Sequence, residues 1–69
     1  MDFTIECEKE ADGRWLAEVP QLPGVMCYGQ DANEAMAKAE ALALRTKAER
    51  LDSLESRPVA IHISIPVAA

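Results

Sequence analysis

The run Gly13-Arg14-Trp15-Leu16-Ala17-Glu18-Val19-Pro20-Gln21-Leu22-Pro23-Gly24-Val25 decides how this chain folds. Within it, Trp15, Ala17 and Val19 fall on one side of an alternating strand, and Arg14, Leu16 and Glu18 on the other. Asp12-Gly13 in front is a hairpin-turn signal, because both residues tolerate positive φ. Pro20 lacks a backbone donor and stops the ladder. Pro20 to Gly24 then reads as a rigid connection, with two fixed φ angles and a glycine free to turn.

Working outward, Phe3-Thr4-Ile5-Glu6-Cys7-Glu8 alternates with period two and is a half-buried strand. Phe3, Ile5 and Cys7 face its core side, and Thr4, Glu6 and Glu8 face solvent. On the other flank, Val25-Met26-Cys27-Tyr28 forms a short third strand that Gly29 breaks. Asp31 followed by Glu34 is a capping box. From Ala32 to about Asp52 there is no Gly or Pro, and Ala, Leu, Glu, Lys and Arg dominate, which predicts one long helix. Ala35, Ala39, Leu42 and Ala43 lie near one stripe, and Leu44, Ala48 and Leu51 extend its apolar surface. The many alanines allow close approach to a sheet. Ser53 to Pro58 is a polar link, and Val59 to Pro66 a last strand whose branched residues point opposite His62. The expected fold is α+β: a three-stranded antiparallel meander, a long helix on one sheet face, then a fourth strand.

The bulk composition bounds the rest. The 69 residues make one domain, 1–69, without internal repeats or a linker. A chain this short buries roughly 60% of its unfolded surface, so its core is marginal and a staple is expected. Cys7 and Cys27 allow at most one bridge, and no Cys/His spacing reads as a metal site. Oligomerisation, as a dimer or tetramer, is the expected staple. The net charge of −5, from 12 acidic and 7 basic residues, argues against direct nucleic-acid binding and for a basic protein partner. Met1-Asp2-Phe3-Thr4 does not begin a signal peptide. No apolar stretch approaches the ~18 residues of a membrane span. The expected setting is cytoplasmic, with both cysteines reduced and no cofactor.

The Gly13–Val25 run resembles the signature of HicB-like antitoxins, a Gly-aromatic-apolar-Ala-Glu-apolar-Pro-acidic-Leu-Pro-Gly segment ending the first hairpin. Tyr28-Gly29-Gln30-Asp31-Ala32-Asn33-Glu34-Ala35 is similar to the family's Gly-x-Thr/Ser-x-x-Glu-Ala start of the helix. Asp31 stands where Thr or Ser is usual, and Gln21 where an acid is common. The likeness runs from Phe3 to Ile65. It implies a truncated ribonuclease-H-like fold and a function without catalysis: binding and masking a HicA-type toxin, a small basic ribonuclease that cleaves messenger RNA. Full-length members often add a C-terminal DNA-binding domain. This chain is expected to have none, since it ends at Ala69.

Chemistry is weighed against that background. Glu6, Glu8 and Glu18 are the carboxylates a metal-dependent nuclease would need, but on alternating strands they read as a solvated face. His62 reads as a surface or interface residue, and Cys7 and Cys27 as small buried hydrophobes. No catalytic residue and no metal ligand is assigned. The residues expected to bind a partner are Trp15, Leu16, Leu22, Met26 and Tyr28, since aromatics and methionine are enriched where protein surfaces meet. Gly13, Pro20, Pro23, Gly24, Gly29, Asp31 and Glu34 are expected to be structural. The alternative function is a solitary homo-oligomeric interaction module without a toxin.

Overall fold

A computed structural model of the chain describes residues 2–54, 58 and 62–65. In chain order it contains β1 (Asp2–Thr4), β2 (Glu6–Lys9), β3 (Trp15–Glu18), β4 (Met26–Gly29), α1 (Ala32–Asp52) and β5 (His62–Ser64). β2, β3 and β4 form the expected antiparallel meander, while β1 and β5 pair in parallel. The α+β class holds. The order does not quite hold, because the run read as one first strand divides at Ile5.

Hydrogen bonding explains the division. The Ile5 N–H donates to the Ser64 carbonyl at 3.0 Å, so the first half of the run belongs to β5. The second half pairs with β3, with Glu6 opposite Glu18 and Glu8 opposite Leu16. Antiparallel strands need only a hairpin between them, whereas a parallel pair needs a long crossover, which here includes the helix. Of the last strand expected from Val59 to Pro66, only Pro58 before it and His62 to Ile65 lie within the described residues.

Each connection has a local cause. Gly13 has φ +91°, its N–H donates to the Glu10 carbonyl, and Glu10 N–H bonds the Arg14 carbonyl, closing the first hairpin. In the second connection, Leu22 N–H bonds Val19 and Val25 N–H bonds Leu22, while Gly24 has φ +89°. This double turn drives Leu22 inward, where it is 1% exposed. Gln21 points the other way. Its Oε1 accepts from Thr4 N–H at 3.1 Å and its Nε2 donates to Thr4 Oγ1 at 3.3 Å, so it occupies a main-chain donor of β1.

The helix spans the predicted residues. Asp31 is extended, and its Oδ1 accepts from Glu34 N–H at 2.7 Å. The Glu34 carboxylate reaches back one residue further than in a standard capping box, to Gln30 N–H at 3.2 Å, and also meets Lys38. At the far end, Ser53 N–H bonds the Glu49 carbonyl, and Leu54 takes a left-handed turn at φ 60°.

The core lies between the helix and one sheet face. Phe3, Ile5, Ala17, Val19, Leu22 and Val25 meet Ala35, Met36, Ala39 and Ala43. Burying each of the large side chains contributes about 1.5–3 kcal/mol. Small residues set the spacing: a Cβ on Gly29 would lie 2.5 Å from the Ala35 backbone nitrogen. Gly29 is therefore the last residue of β4 rather than a strand breaker, and it is glycine because the helix starts directly against it. The helix buries one narrow stripe, Ala35, Met36, Ala39, Ala43 and Lys47, while Leu44 and Ala48 remain exposed. Of the wider apolar face expected from Leu44, Ala48 and Leu51, Leu44 at 45% and Ala48 are exposed, and Leu51 is half-buried. Among the described residues, no helix is long and apolar enough to cross a membrane.

Candidate functional site

The sheet face opposite the helix is built by strand parity. Since Phe3, Ile5, Cys7, Ala17 and Val25 turn towards the helix, their neighbours Glu6, Glu8, Leu16, Glu18, Met26 and Tyr28 turn away. Cross-strand register orders them into two rows. One runs Glu6, Glu18, Met26, and the other Glu8, Leu16, Tyr28. Apolar groups thus gather towards β4 and carboxylates towards β2.

The five residues expected to bind a partner do not all join this face. Leu16, Met26 and Tyr28 come together, with Leu16 directly opposite Tyr28 and Met26 and Tyr28 48% and 43% exposed. Trp15 is one residue out of phase. It packs half-buried against the core on the helix side, opposite Gly29. Leu22 is part of the core, because the double turn at Pro20–Gly24 points it inward. Gly13 and Gly24 carry the left-handed turns, Pro20 and Pro23 flank Leu22 in the exposed loop, and Asp31 caps the helix.

Arg14 is a member of the open face that the sequence reading did not single out. Its guanidinium lies 4.1 Å from the centroid of the Tyr28 ring. Asp12 holds it there: Oδ2 accepts from Arg14 Nε at 2.7 Å and Oδ1 from Arg14 N–H at 3.0 Å. These bonds to Arg14 hold the Asp12 carboxyl below its ordinary range. The signal was present, since Arg14 and Leu16 share strand parity, but a stacking partner on the neighbouring strand is invisible without the register. Lys47, away from this face on the buried stripe of the helix, was not singled out either; it is only 2% exposed and already engaged in the structure. Its spacing of four from Ala43 places it on the core stripe.

Glu6, Cys7, Glu8, Leu16 and Glu18 line a shallow depression of about 110 Å³. Glu6 and Glu18 are directly opposed, an arrangement of like charges that disfavours pairing rather than promoting it. Among the described residues, no group of three His, Cys, Asp or Glu side chains is placed to hold a metal ion. His62 is exposed on β5, away from these carboxylates in the register. Cys7 and Cys27 do not occupy neighbouring strands: both pair with Ala17, one from each side. Two strand spacings, roughly 10 Å, exceed disulfide reach, and both thiols are free. Burial pushes the Cys7 thiol pKa up, towards an inert thiol.

Searches of family models, of curated proteins and of solved structures gave no match to this chain.

Proposed function

We propose that the chain is a HicB-like, antitoxin-type binding module whose open sheet face docks on and masks a small basic ribonuclease of the HicA type. The motif resemblance from Gly13 to Ala35 supplies the class of partner. The observation that carries the proposal is the open face itself. Leu16, Met26 and Tyr28 form an apolar cluster, flanked on β2 and β3 by Glu6, Glu8 and Glu18. An apolar centre excludes water, and an adjacent acidic border steers a cationic partner into register. Nothing in this role requires a nucleophile, a metal or a cofactor; inhibition follows from covering the ribonuclease.

Co-purification of the tagged chain with the small basic protein encoded beside it, followed by a messenger-RNA cleavage assay, tests this reading. The expected result is a stoichiometric complex without ribonuclease activity. In the triple variant Glu6→Lys, Glu8→Lys, Glu18→Lys, association slows by at least about tenfold at low salt. A folded chain that neither binds that protein nor suppresses its activity ends the proposal.

A further inference from the structure

The two edges of the β2–β3–β4 sheet are protected very differently. β2 carries Glu6, Glu8 and Lys9 among its four residues, which is one usual protection against unwanted strand pairing. β4, Met26-Cys27-Tyr28-Gly29, has no charge and no proline, and its flanking residues Val25 and Gln30 are uncharged as well. It is the outer strand of the order β2-β3-β4. Val19 N–H donates to the Val25 carbonyl at 3.0 Å, so in the antiparallel alternation Ala17/Cys27 and Trp15/Gly29 are the hydrogen-bonded pairs. The N–H and C=O groups of Met26 and Tyr28 consequently point away from β3. Among the described residues, no further backbone bond engages them.

From this geometry we infer that β4 pairs antiparallel with β4 of a second copy about a two-fold axis at Cys27, joining two meanders into one six-stranded sheet. In that register Met26 of one copy and Tyr28 of the other exchange both main-chain bonds, so the four outward donors and acceptors on each edge are satisfied together. Self-pairing also suits the charges. A chain of net charge −5 repels its own copy on most approaches, but the carboxylates of this sheet, Glu6, Glu8 and Glu18, lie on β2 and β3 and not on the β4 edge. The Arg14 guanidinium, held over Tyr28, comes within two strand spacings, roughly 10 Å, of Glu18 on the second copy. On the open face Leu16, Tyr28 and the second copy's Met26 form one continuous apolar row, and symmetry repeats it. Half-exposed Met26 and Tyr28 thereby gain cross-strand partners. A domain this small is also one that association stabilises.

Sedimentation equilibrium and NMR amide exchange on the full chain, each over a concentration series, test the pairing. We expect a dimer in which the Met26 and Tyr28 amides become more protected as concentration rises. A short bismaleimide should join two chains through Cys27, since directly opposed residues at a non-hydrogen-bonded position lie roughly 4.5 Å apart. Linking survives in Cys7→Ser and disappears in Cys27→Ser. Tyr28→Pro removes a donor that the monomer does not use and should weaken association at least tenfold. If that variant fails to fold, amide exchange of the unmodified chain decides. A chain still monomeric at roughly 1 mM overturns the inference. So does a dimer in which the Met26 and Tyr28 amides exchange freely, or one linked through Cys7.

Discussion

The two faces of the meander are made from alternate residues of the same three strands, yet they obey different rules. On the helix side, Ala17 and Val19 are no more than 1% exposed, and Gly29 touches the start of the helix. There each position is fixed by volume, because close-packed atoms have nowhere to move. On the open side Met26 and Tyr28 keep nearly half of their surface in water, and Glu6 faces Glu18 without compensation. On that side close packing fixes few positions, and the contacts of note are Asp12 with Arg14 and Arg14 with Tyr28. A like-charged cross-strand pair and a half-exposed apolar cluster weaken a solitary domain. The binding proposed above would cover both.

Replacing Gly29 by Ala attacks the comparison at its most constrained point. The new Cβ would lie 2.5 Å from backbone that cannot yield without moving the helix. A loss of roughly 3 kcal/mol or more is expected, enough to unfold much of a marginal domain in a urea titration. If Gly29→Ala is tolerated at full stability, the helix is not seated as described.

Next in size are two truncations that sequence alone ranked as equivalents. Leu22→Ala should cost about 2–5 kcal/mol, since it empties a fully buried site. Met26→Ala should change stability by less than about 0.5 kcal/mol, because the side chain is half exposed, while weakening partner association. Chemical denaturation of both variants under dissociating conditions checks the contrast. Equal losses would erase the distinction between the two faces.

The smallest effect belongs to the hairpin that steers Arg14. The Asp12 carboxyl titrates below its ordinary value of 3.8 because of its bonds to Arg14. A depressed carboxylate stabilises the fold above its unfolded value and loses that contribution as pH falls through the folded value. Melting of the native chain minus that of Asp12→Asn should therefore narrow below about pH 3.8 and be constant above it. Both groups are more than half exposed, so the difference will be slight.

Much of this architecture was readable in the sequence because its causes are local. Alternation gave the strand faces, and Asp31 with Glu34 gave the helix start to the residue. Gly13 and Gly24 marked the two left-handed turns. The open face was partly legible: of the five residues expected to bind a partner, Leu16, Met26 and Tyr28 lie on it, whereas Trp15 packs on the helix side and Leu22 in the core. Trp15 lies on the other face because it shares strand parity with Ala17 and Val19, and residue type had been weighed above that parity. Leu22 points inward unannounced, because a loop residue between two prolines carries no period from which to infer direction.

What the sequence determined by itself is therefore the helix and its start, the turns at Gly13 and Gly24, and the alternation of faces along the meander strands, all set by interactions within a few residues of chain. Only the tertiary structure decided that the first run serves two partners, that Cys7 and Cys27 flank Ala17, and that Arg14 stacks on Tyr28. Those facts depend on register between segments far apart in sequence. Register is chosen by how well whole faces pack and hydrogen bond, a collective quantity that no local window contains.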